Sequence, residues 1–368
     1  MAFARKHPGL RGLILSWALL SLMSTPVHAV PGLVFKPANA LESAYAITNM
    51  LQDHQGFVWM ATRAGLLRYD GYQIRHYSLS SSDASGLPHD TVTSLLEDGQ
   101  HRLWVGTRAG LTLFHPESNH FQVFAPPVEQ GDVLYSRQIQ RMVLDGDHGL
   151  WLATRQGLQH FDPDSGQFRL YRHDPQRPDS LSKDNLQTLA RDAQGGLWIA
   201  AWPMGLDRLA AGSDRFEHYQ VDPQHLQSLD NAIKALWVDQ QQRVWIGTET
   251  GVFLGQWREG RFQIQAVEVE DWRQPFRVND FYEAKDGSLW AASFMGLLRW
   301  NEDKHCLEAY RNDRHDPNSL RSSWIFTLLQ DGHENLFVST SKGIDQVDLE
   351  DIRHNLCLMP YALNNLLI

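Results

Sequence analysis

The sequence predicts an all-β fold: a single seven-bladed β-propeller of four-stranded blades. Three observations predict it. A tryptophan-centred stretch recurs at a nearly constant step, each copy holds four short apolar runs bounded by turn residues, and no long amphipathic helical pattern interrupts the copies.

The stretch first reads Gly56-Phe57-Val58-Trp59-Met60-Ala61-Thr62-Arg63-Ala64-Gly65-Leu66 and returns around Trp104, Trp151, Trp198, Trp245 and Trp290. A seventh copy has Phe337 in the aromatic position, and the steps are 45, 47, 47, 47, 45 and 47 residues. A helical solenoid has a similar period, but it needs amphipathic runs of about ten residues or more, which the chain beyond residue 29 lacks.

Each copy opens on an apolar run such as Val92-Thr93-Ser94-Leu95-Leu96. Then comes an Asp six residues before the aromatic (Asp53, Asp98, Asp145, Asp192, Asp239, Asp331), replaced in copy six by Ala284 with Asp286-Gly287. The aromatic run follows. Two residues past the aromatic the side chain is always small: Ala61, Gly106, Ala153, Ala200, Gly247, Ala292 or Ser339. Those two positions share a strand face, so a large ring alternates with a gap. A glycine at a fixed turn position comes next (Gly65, Gly110, Gly157, Gly205, Gly251, Gly296, Gly343), suited to a positive φ. Third and fourth runs complete the blade, as Leu111-Thr112-Leu113-Phe114 and Phe121-Gln122-Val123-Phe124 do. Seven such units make the propeller.

The last copy lacks a clear fourth run. An unclosed ring would expose two sheet edges, so Leu33–Lys36 is expected to be the outer strand of the last blade, closing the ring from the N-terminal side. The alternative is a disordered arm.

The remaining segments read as follows. Residues 1–29 are expected to be a secretory signal peptide: Arg5, Lys6 and Arg11, an apolar run from Leu13 to Met23, then Pro26-Val27-His28-Ala29. The run is too short to span a bilayer in the usual way, and an uncleaved anchor is the alternative. Removing the segment takes the net charge from −10 to −13, which disfavours nucleic acid and anionic membrane surfaces as partners. Residues 30–349 are the propeller and 350–368 a C-terminal tail. Two cysteines, Cys306 and Cys357, make no disulfide scaffold, and their pairing stays open. Stability must come from blade-to-blade burial.

The connections between blades also rhyme, as Asp174-Pro175 to Ser180-Leu181, Asp222-Pro223 to Ser228-Leu229, Asp316-Pro317 to Ser319-Leu320, and more loosely Ser81 to Leu87. Together with the Leu-Trp-Val-Gly-Thr core and the Gly-Leu step, these connectors resemble the two-component regulator propeller repeat over about residues 33–349. The stretch from Asp53 to Tyr72 is especially similar to that family's first blade. The resemblance implies a periplasmic ligand-sensing domain of a bacterial receptor, working with a membrane-bound signalling partner whose output is a histidine kinase or a diguanylate cyclase. Some members sense oligosaccharides. No juxtamembrane, kinase or cyclase segment follows residue 349, so the chain reads as a receptor without its output half, with a free-standing periplasmic interaction propeller as the alternative.

No catalytic constellation is expected. His173, His218, His225, His305 and His315 show no metal-ligand spacing. There is no nucleophile elbow, phosphate loop or dinucleotide fingerprint. The Asp-Gly pairs read as hairpin turns rather than calcium ligands, and neither metal nor cofactor is expected. A streptogramin-lyase-like enzyme, on loosely similar propeller repeats, is the weaker enzymatic reading.

A ligand is expected on the face that carries the turns between second and third strands. The residue after the Thr position there is Arg63, Arg108, Arg155, Trp202, Glu249, Phe294 and Ser341 in successive copies. Arginine forks suit carboxylates or phosphates, and aromatic plates suit a sugar ring. The first six are the candidate site for a small anionic or carbohydrate-like ligand. The bland alternative is that arginine simply caps a turn there. Arg137, Asp184 and Asn231, ahead of first strands, are secondary candidates on the same rim.

Overall fold

A computed structural model describes residues 33–41, 46–79, 86–126, 137–147, 149–203 and 205–350. The expected signal peptide, the tail beyond Glu350 and Cys357 lie outside them. Seven separate four-stranded antiparallel sheets account for nearly all regular structure, with short 3-10 turns at Asn39–Leu41 and Leu229–Asn231. Blade 1 runs Ile47–Gln52, Val58–Thr62, Gly65–Tyr69 and Ile74–Tyr77, innermost strand first. Blades 2 to 6 repeat it from Val92, Ile139, Leu186, Ile233 and Val278. Blade 7 has Ile325–Gln330, Asn335–Thr340 and Gly343–Asp348.

The ring closes as expected, with a shift in register. The outer strand of blade 7 is Lys36–Pro37, pairing Lys36 with Gln346 and Pro37 with Asp345. The expected Leu33–Lys36 segment enters the sheet only at its last residue. Ahead of it, the Phe35 N–H donates to the Asn318 carbonyl and the ring packs among Trp290, Leu336 and Val347.

The ring-and-gap alternation is the packing code between blades. Trp59, Trp104, Trp198, Trp245 and Trp290 are almost fully buried. The gap two residues on receives the first apolar residue of the next blade. A β-carbon on Gly106 would come within 2.9 Å of Ile139 Cγ2, and one on Gly247 within 2.6 Å of Val278 Cγ1. Six of the seven turn glycines have positive φ; the exception is Gly251, where a wider bend replaces the tight turn. At Gly157 a β-carbon would lie 2.4 Å from the Tyr171 carbonyl of the outermost strand, so both conformation and space demand glycine.

The repeated Asp serves the repeated Trp. Asp53, Asp98 and Asp239 accept the indole N–H of Trp59, Trp104 and Trp245 at 2.7–2.8 Å, and their other oxygens accept turn N–H groups. In blade 6, where Ala284 stands, Ser288 Oγ accepts from Trp290 instead, at 3.0 Å. In blade 7 the Phe337 ring has no donor, and Asp331 Oδ2 accepts a hydrogen bond from Asn335 Nδ2.

The connector leucines follow the spacing. Leu87, Leu181 and Leu320, each 17 residues before their aromatic, are fully buried. Leu229 stands one residue closer to its aromatic and is 56% exposed, at the start of the 3-10 turn Leu229–Asn231.

Candidate ligand-binding face

The inner strand of every blade starts on the face that carries the second-to-third-strand turns. Backbone bonds tie the two together: the N–H groups of Arg108, Trp202, Glu249, Phe294 and Ser341 donate to the carbonyls of Thr91, Asn185, Ala232, Arg277 and Trp324. Each acceptor is the residue just ahead of a first strand. Four of the six candidates, with Ser341, are held this way, and Arg63 and Arg155 stand in the equivalent turns between Thr62 and Gly65 and between Thr154 and Gly157.

The rim has two unlike halves. In blades 1 to 3, Arg63, Arg108 and Arg155 are exposed, and among the described residues none has an ion pair. In blades 4 to 7 the side chains touch in series. Lys234 Nζ lies 3.8 Å from the centre of the Trp202 ring and 3.1 Å from Glu249 Oε1. Arg277 Nη1 is 3.9 Å from the same Glu249 oxygen, and its guanidinium sits 5.3 Å over the Phe294 ring. Phe294 stacks on Trp324 at 5.4 Å and meets Phe326 edge-on at 6.0 Å. Aromatic faces and charges thus alternate along an arc from blade 4 to blade 7. Burial pulls the Lys234 ammonium down from its ordinary value, with Glu249 opposing.

Trp324 is 57% exposed, although an aromatic of this size is usually covered. Two backing residues, Asn185 and Arg277, keep buried polar atoms (Oδ1 and Nε) without a hydrogen-bond partner among the described residues. Such atoms call for an explanation, and a polar ligand or water is one.

Trp202, Glu249 and Phe294 lie on this arc together with Lys234, Arg277, Trp324 and Phe326, which the sequence does not single out. The secondary candidates stand two residues ahead of the first strands. Asp184 and Asn231 brace connectors. Asp184 Oδ1 accepts the His173 N–H at 2.7 Å, and Asn231 Oδ1 accepts the Asp222 N–H at 2.9 Å. Asp90 and Ser323 do the same for Leu79 and Asn312. Arg137 leaves a buried Nε unpartnered. The informative position is the next one, occupied by Asn185, Arg277 and Trp324.

Residues 86–109, the end of one connector through the aromatic strand of blade 2, match the model described as Two component regulator propeller. No curated protein matches the chain. The fold is similar to the extracellular domain assigned to the hybrid two component system BT3049 of B. thetaiotaomicron, with a TM-score of 0.71 at 21% identity over 86% of this chain and 42% of that one. It is similar to the corresponding domain of BT4673 from the same organism, with a TM-score of 0.68 at 22% identity over 86% and 40%. The virginiamycin B lyase of Staphylococcus aureus shares the fold at 12% identity, with a TM-score of 0.63 over 86% of this chain and 99% of that one. The chain therefore spans less than half the length of the two sensor structures. With its seven repeats and the direct match in blade 2, the chain is similar to the two-component regulator propellers in repeat and in fold.

Proposed function

We propose that this propeller is the ligand-sensing domain of an exported bacterial signal-transduction receptor, and that its rim binds a small anionic or carbohydrate-like molecule. The observation that carries the reading is the arc from Trp202 to Trp324, with an exposed indole at one end and three exposed arginines that have no ion pair among the described residues elsewhere on the rim. Aromatic plates beside fixed charges suit a sugar ring bearing hydroxyl or carboxylate groups. The likeness in fold to extracellular sensor domains supports the same reading, with an output partner at the membrane. The test is a thermal-shift screen of sugar acids and oligosaccharides against the parent, Trp324→Ala and Arg108→Ala. A ligand that shifts the parent should bind Trp324→Ala at least tenfold more weakly, and the Arg108 contribution should fade with salt. Equal binding by both variants would move the site off the rim.

A further inference from the structure

The opposite face of the ring, where first strands turn into second strands, carries a separate cluster. His54 follows Asp53 in the turn of blade 1. Glu97 ends the first strand of blade 2 (Val92–Glu97), and His101 lies in the turn that follows. His54 Nδ1 lies 2.5 Å from Glu97 Oε1, and His101 Nδ1 is 4.0 Å from the same oxygen. The two imidazoles stack at 4.2 Å with 28° between their planes. One donor atom from each of the three residues lies within 4.8 Å of the others.

Part of this arrangement is ordinary blade bracing. The His54 N–H donates to both Glu97 oxygens, at 3.0 and 3.2 Å. Equivalent clasps join blade 5 to blade 6, where Gln240 N–H donates to Glu283, and blade 6 to blade 7, where Lys285 N–H donates to Gln330. Those clasps work without histidine. The brace accounts for the carboxylate but not for two imidazoles gathered on it.

We propose that His54, Glu97 and His101 bind a divalent transition-metal ion of the zinc class, bridging blades 1 and 2. Two imidazoles and one carboxylate are a donor set that suits Zn²⁺ rather than Mg²⁺ or Ca²⁺, which prefer oxygen ligands. With metal–ligand bonds of about 2.0–2.2 Å, neighbouring donors stand about 3.3 Å apart in a tetrahedral site. The close His54–Glu97 pair must open and the wider separations contract by about an ångström. Side-chain rotation provides this, because the His54 and His101 side chains are 38% and 62% exposed. The metal takes the place of the proton between His54 and Glu97, and solvent completes its shell. A strand of five residues, Val58–Thr62, separates this face from the rim, so the metal would strap two blades rather than meet the rim ligand.

The test uses the metal-stripped full chain and three proteins: the parent, the double variant His54→Ala/His101→Ala, and Glu97→Gln. Gln330 already makes the same clasp, so Glu97→Gln keeps the brace while weakening the metal site. Zn²⁺ is titrated calorimetrically, Co²⁺ is followed by its visible absorption, and Mg²⁺ is the competitor. One Zn²⁺ should bind the parent at least tenfold more tightly than either variant, with a Co²⁺ band typical of four ligands and no competition from Mg²⁺. Binding of equal affinity in the parent and the double variant would overturn the proposal, as would Mg²⁺ displacing Zn²⁺ at comparable concentration.

Discussion

Arg141 of blade 3 reaches across the central channel to Asp280 of blade 6, with Nη2 3.5 Å from Oδ1. The Thr327 hydroxyl donates to the other Asp280 oxygen at 2.6 Å, and the Phe281 N–H donates to Oδ1 at 3.1 Å. Asn49, Ser94 and Thr188 occupy the same repeat position in other blades, so a polar layer with an ion pair across it occupies the channel. Burial pushes the Asp280 carboxyl up, while Arg141 and Thr327 act the other way.

Breaking this pair from one side should be costly. Arg141→Ala leaves a carboxylate in the channel without its cation, and the expected loss is about 3 kcal/mol, the low end for buried pairs because Arg141 is partly exposed. The double variant Arg141→Met/Asp280→Leu should recover most of it. Urea unfolding of the parent, Arg141→Met, Asp280→Leu and the double variant closes a mutant cycle that measures the coupling. Additive losses would mean that the two residues stabilise the ring independently.

The repeated aromatic should dominate the stability of its blade interface. Trp104→Ala removes a ring packed on Phe124 and Phe161 and leaves Asp98 without its indole donor, so about 3–5 kcal/mol should be lost. Trp257, 48% exposed and outside the repeat position, should cost about 1 kcal/mol or less on truncation. Similar losses at both sites would contradict the packing code between blades.

Closure makes the same kind of claim for the N-terminal segment. Phe35 is buried between blades 6 and 7, edge-on to Tyr310 at 6.3 Å. Phe35→Ala should cost about 3–5 kcal/mol, like other buried rings. Deleting residues 33–37 should lower the unfolding midpoint further, because it also removes the pairing of Lys36–Pro37 with the edge of blade 7. A deletion variant that melts with the parent would show that this strand does not lock the ring.

The blades were legible because their determinants are local and repeated. An Asp six residues before a Trp, and a gap two residues after it, report on neighbours in the same or the adjacent blade. Hence the blade number, the strand count and the closing segment could be read from the chain. The rim was legible only in part. Trp202, Glu249 and Phe294 directly follow the repeated Thr or its equivalent at the end of a second strand and so keep a fixed place. Lys234 sits in the bulge between Ile233 and Ala235, and Arg277 and Trp324 stand where irregular connectors enter the sheet. At those points the side-chain direction depends on a kink that no alternating pattern announces. Arg141 and Asp280 were illegible for a plainer reason: 139 residues and half the ring separate them.

A titrating brace gives the last prediction. The His218 ring faces two acceptors. Its Nδ1 lies 2.7 Å from Asp207 Oδ1, and its Nε2 lies 2.9 Å from the Pro178 carbonyl. Only the imidazolium can donate to both. Burial alone would lower the His218 pKa, but the bonds to Asp207 and Pro178 overcome it, and the pKa stands above its ordinary value of 6.5. Asp207 is itself fully buried and accepts the Ser182 N–H, so the pair ties the outer sheet of blade 4 to the connector from blade 3. A raised folded-state pKa binds the proton more tightly in the native protein than in the unfolded chain. The stabilisation is therefore complete below the unfolded pKa and is lost as pH rises through the folded one. Urea midpoints of the parent and His218→Gln, measured from about pH 5.5 to about pH 8.5, should differ most at the acid end and converge as pH rises. A gap that stays constant across that range would mean that neutral imidazole holds the brace equally well, and one that widens would reverse the sign of the linkage.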